Sequence, residues 1–389
     1  MISKLERLLS GGTVTWDRLL VTDGLSPEAV EQITAVSPAA PDRVWVVIDH
    51  DTPAGSVAVA EKQKALLDWA RQTGAVFRSG RGIGYALLLE SGLREGEIVL
   101  SGGAHAAAVG AAGAVGLSLP PAELAGALES GQISLSPAPP LRLAVTGPLS
   151  PYLSVRDLAW TLIRSGQCSG KAVVIRAPQL TAAQAMDLCG LLGAAGAVTA
   201  LCVREDFPAD ETVDLTALQP MAAPPGDAAR VVPAGETDGL RVNQVFIGGC
   251  GGGSLEALRE TADLWRGRTV CPYVRVMVAP ATSSVYVQAL EEGLLDVFLD
   301  AGALVMNQGC SACWAQSQGR CDQAEVFVST GSINCAGWAG RAHSGICLTT
   351  VRRAAQAALS GSLYGSCEEV RHGTDVLQPH LAAERQYRY

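Results

Sequence analysis

Near the start of the chain, Arg43-Val44-Trp45-Val46-Val47-Ile48-Asp49 forms an apolar run that never alternates and that stops on a carboxylate. A strand with one face in water alternates apolar and polar residues. A strand that does not alternate is buried on both faces, as in a parallel sheet covered by helices on each side. The run commits this part of the chain to an α/β layer fold. A helix is predicted from about Val57 to Arg71, with Ala60, Leu66, Leu67 and Ala70 near one face. Val76-Phe77 reads as a short strand, and Glu97-Ile98-Val99-Leu100 as another that opens into Ser101-Gly102-Gly103-Ala104-His105. The small residues from Ala106 to Gly116 predict a helix buried against a sheet, and Pro121 suits the first turn of a helix reaching Glu129.

The pattern repeats twice. Leu141–Val145 opens a second unit, with a helix near Ser154–Arg164, a strand at Ala172–Ile175, a helix near Ala182–Leu192 and a strand at Val198–Val203. Between Phe207 and Val242 the periodicity fails, and Pro220, Pro224, Pro225 and Pro233 read as a linker. The third unit starts at Gln244–Ile247. A helix near Leu255–Trp265, the strand Val274–Val278, the helix Ser284–Phe298, the strand Glu325–Ser329 and the helix Thr349–Leu359 follow. The expected domains are therefore 1–140, 141–206 and 243–365, with a linker at 207–242 and a polar tail at 366–389. No repeat of fixed period is visible.

A net charge of -9 and a pI near 5.2, with no run of Lys or Arg, exclude a nucleic-acid partner on electrostatic grounds. The first residues lack the apolar core of a signal peptide, and no apolar stretch is long enough to span a bilayer, so a cytoplasmic protein without a membrane partner is expected. The 11 cysteines are unevenly placed, with none before Cys168 and most from Cys250 onward. Without an export signal, thiolates kept for a metal or cluster explain them better than disulfides.

Three segments carry chemistry. In Ile247-Gly248-Gly249-Cys250-Gly251-Gly252-Gly253 a cysteine follows a strand and sits in a glycine loop before a helix, where open α/β sheets bind ligands. The glycines let the backbone approach a bulky inorganic group. Gly309-Cys310-Ser311-Ala312-Cys313 is a C-x-x-C pair on a loop. A pair at this spacing can chelate one metal centre, which a third thiolate from a distant loop closes. A structural zinc wants four ligands, whereas a [4Fe–4S] cluster on three thiolates keeps one iron open as a Lewis acid. Cys321 and Cys335 stay open as a fourth ligand, and a C-x-x-C pair alone reads equally as a redox pair or as packing. The third segment is Asp49-His50-Asp51, in which an Asp can set the tautomer of a His and raise its basicity for proton delivery. Alone it also reads as a capping Asp beside a surface His. His105 carries the same two readings, and His343, His372 and His380 sit in uninformative contexts.

These segments, in this order, resemble the aconitase superfamily, most closely the compact large subunits of isopropylmalate dehydratase and homoaconitase. The similarity runs from about Val44 to Gly361 and is densest over Val245–Gly340, where Ile247–Cys250 stands in place of the family's I-G-S-C. Val278–Thr282, Ala289–Leu294 and Ser329-Thr330 add to it. The resemblance implies three α/β domains around a [4Fe–4S] cluster held by Cys250, Cys310 and Cys313. It implies reversible loss of water from a hydroxy acid, with Asp49 and His50 as the family's acid pair. The family's base is a serine on a swivelling domain that this chain is expected to lack, so catalysis would require a small-subunit partner.

The departures bear on substrate. The family's G-D-S-H-T is Gly102-Gly103-Ala104-His105-Ala106 here, and Tyr85 replaces a His in Gly82–Tyr85. An active-site Glu falls on Leu191. Two carboxylate-holding arginines become Ile333 and Trp338, in a segment where Ser332 and Asn334 remain as pocket residues with Tyr85. Without guanidinium forks a buried carboxylate loses its bidentate partners. The expectation is a hydro-lyase acting on a hydroxy acid smaller or less anionic than the standard tricarboxylate. A cluster enzyme of different Lewis-acid chemistry and a non-catalytic iron–sulfur sensing or structural protein are the alternatives.

Overall fold

The computed structural model describes residues 10–225, 230–314, 317–322, 324–334 and 345–364. Cys335, Trp338, His343, His372, His380 and the expected tail lie outside them.

The first sheet is built from β2 (Arg18–Thr22), β3 (Val44–Ile48), β4 (Val76–Ser79), β5 (Ile98–Ser101) and β6 (Val115–Ser118). Its strands are parallel and ordered β4-β3-β2-β5-β6. A separate antiparallel pair joins β1 (Gly12–Thr15) to β7 (Gln132–Leu135). Burial on both faces is visible residue by residue. Val44, Val46 and Ile48 enter one core with Leu66 and Trp69, while Val47 enters another with Ile83 and Leu88. Each such side chain stabilises the fold by about 2 kcal/mol. The helices are α1 (Pro27–Thr34), α2 (Val57–Thr73), α3 (Gly84–Glu90) and α4 (Pro121–Ser130).

The second sheet has the order β10-β9-β8-β11, from β8 (Pro140–Thr146), β9 (Ala172–Arg176), β10 (Thr199–Val203) and β11 (Glu211–Asp214), all parallel. Its helices α5 (Val155–Ser165) and α6 (Ala182–Ala194) both start on capping boxes, Ser154 with Asp157 and Thr181 with Gln184. After a small antiparallel pair, β12 (Met221–Ala222) with β13 (Val232–Pro233), comes the third sheet. It comprises β14 (Gln244–Ile247), β15 (Arg275–Val278), β16 (Leu304–Val305), β17 (Phe327–Ser329) and β18 (Ile346–Leu348), ordered β16-β15-β14-β17-β18 and parallel. Its helices are α7 (Leu255–Trp265), α8 (Ser283–Glu291), α9 (Leu294–Asp300) and α10 (Val351–Ser360).

All three sheets share one winding. The first strand lies inside, the next two are added to one side, and the fourth to the other. The repeat is topological and leaves no fixed period in the sequence. Such a winding creates a crevice outside the carboxyl ends of the inner strands, where the chain reverses direction across the sheet. In the first sheet those ends carry Asp23, Asp49 and Ser101; in the third they carry Gly248–Cys250 and Thr330–Ser332.

Three expectations need correction. The segment 106–116 is not one helix. Ala106–Ala112 is a 3-10 turn ended by Gly113 at φ 71, followed by β6. Gly110 packs the turn onto β10, where a Cβ would lie 2.0 Å from the carbonyl oxygen of Ala200. The helix expected over Ser284–Phe298 is two, α8 and α9, divided at Gly293 with φ 69. The stretch expected as a linker carries β11, which pairs with β8 along Leu143–Thr146 and forms the edge of the second sheet.

Candidate functional site

Asp49 and His50 leave the carboxyl end of β3 where β2 ends in Asp23. Asp23 Oδ1 accepts from the amides of Asp49 and His50, each at 3.0 Å. Its other oxygen accepts from the Asp51 amide and from Gln63 Nε2 at 2.9 Å. Lys62 clamps the turn below through the carbonyls of Asp23 and Leu25. Asp49 Oδ1 lies 2.5 Å from His50 Nδ1, and Asp49 Oδ2 accepts from the amide of Gly84 at 2.7 Å. The His50 ring packs over Gly24, where a Cβ would fall 2.5 Å from Nε2, and meets Trp314 edge to face at 4.7 Å.

The charges follow from this geometry. Burial alone would pull the His50 imidazole down, but the charge of Asp49 and the hydrogen bonds of Asp23 and Asp49 push it up to about 10. His50 is therefore an imidazolium at neutral pH. Burial raises Asp23, yet the hydrogen bonds and charge of His50 outweigh it and hold that carboxyl well below its usual range. Asp49 is displaced upward by burial, with His50 opposing and Asp23 adding to it.

Tyr85, on α3, is buried with its hydroxyl 3.1 Å from Ser101 Oγ and donating to the carbonyl of Gly103. Burial lifts its pKa above the usual phenol value, and Asp49, Cys250 and Cys310 add to the rise. A Cβ on Gly103 would lie 2.5 Å from that hydroxyl, so a larger residue there would displace it. His105 is half-buried. Burial, helped by the positive charges of His50 and Arg156, lowers it to about 4, so it is neutral at pH 7. Its Nε2 is buried and has no hydrogen-bond partner among the described residues.

The thiols come from two loops of the third sheet. Cys250 lies in the helical turn Gly249–Gly252 after β14, with Gly249 at φ 71. The Cys310 amide donates to the carbonyl of Asp49 at 2.8 Å, which docks its loop onto β3. That contact requires Gly309, at φ 134, because a Cβ there would lie 2.6 Å from the same oxygen. Ser311, at φ 47, turns the chain between the two cysteines, and the Cys313 amide donates to the Cys310 carbonyl. Cys310, Asp49 and His50 bring ligand atoms within 4.8 Å of one another. Burial pushes the Cys250 thiol up, and Cys313, Asp49 and Asp187 push it further. Burial does the same to Cys310, followed by Asp49, Cys250 and Cys313. The three thiols thus lie in electrostatic range of each other and of carboxylates. Among the described residues, none of the cysteines is in a disulfide.

The structure gathers Asp49, His50, Tyr85, His105, Cys250, Cys310 and Cys313 at the carboxyl ends of the first and third sheets. Asn334 is buried but gives its amide to the carbonyls of Pro224 at 2.7 Å and Ala223. Ser332 is buried. Cys321 stands 3.9 Å from the Arg275 guanidinium, at the amino end of the strand whose carboxyl end faces the site. Four residues escaped the sequence reading: Asp23, Lys62, Arg156 and Asp187. Arg156 on α5 and Asp187 on α6 form a buried bidentate pair against the Cys250 loop. Asp187 had a signal, as the lone carboxylate in the apolar run of α6, because a buried charge needs a partner.

Like-wound parallel sheets covered by helices define an α/β class, and the chain belongs to the aconitase family. The model of the Aconitase family (aconitate hydratase) matches residues 5–175 and 205–361. The chain is 32% identical over 377 residues to the homoaconitase large subunit of Thermus thermophilus, spanning 89% of this chain and 90% of that protein. It is 34% identical over 375 residues to 3-isopropylmalate dehydratase large subunit 1 of Deinococcus radiodurans, spanning 89% of this chain and 86% of that one. Its fold is similar to that of Thermococcus kodakaraensis aconitase X (holo-form), with a TM-score of 0.55 and 14% identity over 82% of this chain and 84% of that chain. No helix among the described residues is long and apolar enough to cross a membrane.

Proposed function

We propose that this chain is a hydro-lyase that holds a [4Fe–4S] cluster on Cys250, Cys310 and Cys313 and removes water reversibly from a small hydroxy acid. One observation carries the reading: the Cys310 thiol meets the Asp49–His50 pair, with donor atoms of the three residues within 4.8 Å, and Cys250 and Cys313 lie in electrostatic range of it. The donor set suits the group. Thiols crowded against each other and against carboxylates are disfavoured as bare thiolates, and a multiply charged metal centre removes that conflict. The backbone around them is kept bare, since a Cβ on Gly331 would fall 2.7 Å from Cys313 Sγ.

Held by three thiolates, the cluster supplies an iron able to act as a Lewis acid. The chain supplies the acid. Asp49 and Asp23 occupy His50 Nδ1, fix the ring and keep it protonated, which leaves Nε2 to give its proton to a departing hydroxyl. Tyr85 stays protonated and neutral His105 offers an unmatched Nε2, so both suit hydrogen bonding to a polar substrate. Ile333 offers no charge at the position where the family resemblance implies a carboxylate-holding arginine. A substrate with fewer carboxylates than a tricarboxylate follows. The Thermus and Deinococcus relatives are named large subunits, which supports a small subunit bearing the swivelling domain and its base.

The test is to incubate anaerobically reconstituted protein, with and without a candidate small subunit, with mono- and dicarboxylic hydroxy acids. Formation of a conjugated alkene is followed by absorbance. Turnover of a less anionic substrate that disappears in His50→Asn supports the reading. Turnover only of tricarboxylates, or activity indifferent to His50, overturns it.

A further inference from the structure

We propose that the buried Arg156–Asp187 ion pair is a positioning device that fixes the Cys250 loop and the loop after β17 against the helices of the second sheet; its purpose rests on the cluster reading above.

Arg156 is 1% exposed, and every guanidinium hydrogen has a target. Nε donates to Asp187 Oδ2 at 2.8 Å and Nη2 to Asp187 Oδ1 at 2.9 Å. Nη1 donates to the carbonyls of Gly331 at 2.9 Å and Thr349 at 3.3 Å, and Nη2 also donates to the carbonyl of Thr330. The fork therefore joins an acid on α6 to the turns that end β17 and β18. A guanidinium so committed has nothing left for a substrate carboxylate.

The glycine loop is laid on this pair. A Cβ on Gly251, next to Cys250, would lie 2.2 Å from both Arg156 Nη2 and Asp187 Oδ1. A Cβ on Gly252 would lie 1.9 Å from Thr330 Oγ1, which in turn accepts from the amide of Gly248 at 2.9 Å. Gly331, held by Arg156, abuts Cys313. One ion pair thus sets the height of the loops beneath two of the three thiols. The third, Cys310, is set separately by its bond to Asp49. A buried ion pair is a poor source of net stability, so its retention beneath a ligand loop points to geometric specification.

The experiment compares the wild-type chain with Asp187→Asn, Arg156→Lys and Gly251→Ala. Hydrogen exchange is read in the cluster-free protein, and iron and sulfide content after anaerobic reconstitution. Loss of an outer-shell partner lowers metal affinity by about 10–100-fold. Exchange should rise by about tenfold at residues 248–254 and 329–332, with the Cys310 amide and the strands of the second sheet unchanged, as local opening predicts. Gly251→Ala, which leaves both charges in place, should give the same local pattern. Unchanged loop exchange and full cluster content in folded variants overturn the proposal while the cluster reading stands. Local loosening in the variants, with a wild-type chain that takes up no sulfide, supports the tie and removes the cluster reading.

Discussion

Asp23→Asn is the most revealing substitution at the Asp49–His50 turn. The carboxylate accepts from the amides of Asp49, His50 and Asp51 and from Gln63, and it lies 3.5 Å from His50 Nδ1. The amide keeps one acceptor oxygen but turns N–H donors toward groups that are donors themselves. Breaking a buried charge pair costs about 3–5 kcal/mol, and the lower end applies because His50 keeps Asp49. For a chain of 389 residues the unfolding entropy is about 0.8 kcal/mol/K, so about 3 kcal/mol lowers the Tm by about 4 °C. The effect has a pH signature. His50 holds its proton up to about 10 in the native state and to about 6.5 when unfolded. Stabilisation from a raised pKa is complete below the unfolded value and fades as pH climbs toward the native one. Melting curves of the cluster-free proteins from pH 6 to pH 10 should show a Tm gap that is full near pH 6 and narrows toward pH 10, as the His50 contribution is lost while the loss of the amide acceptor remains. A gap that stays constant across that window, or no gap at all, refutes the argument.

Replacing Cys250, Cys310 or Cys313 by Ser should each abolish most sulfide incorporation, whereas Cys321→Ser should leave it intact, as acid-labile sulfide analysis would show. Gly103→Ala should displace the Tyr85 hydroxyl and lower kcat/KM by about tenfold, the worth of one hydrogen bond, without a matching fall in Tm. Arg353 donates to the carbonyls of Ala234 and Tyr364 and to Thr237 and Asp238. Arg353→Met should therefore cost about 3 kcal/mol and appear as a Tm drop of about 4 °C together with faster proteolysis near residues 234–238.

What could be read from the sequence followed burial. Val44–Ile48 and Gln244–Ile247 announced themselves because both faces of each strand are covered, leaving an unbroken apolar run. β2 is equally central, but Leu19-Leu20-Val21 is a short run between Arg18 and Thr22, and it gave no strand signal. Asp23 was missed with it. β11 escaped for the opposite reason. As an edge strand with exposed Glu211 and Thr212 it has no apolar pattern to display. The thiols and the Asp49–His50 pair were legible because glycine loops and C-x-x-C spacing are local. The Arg156–Asp187 pair joins residues 31 positions apart and the carbonyls of a third element, so only the fold assembles it.

The decisive measurement is iron spectroscopy on the anaerobically reconstituted chain, with iron and sulfide analysis on the same sample. The expected result is a cubane in which one iron differs from the rest and responds when a hydroxy acid substrate is added. A cluster whose irons are all alike and indifferent to such acids, or a chain that takes up iron without sulfide, would contradict it.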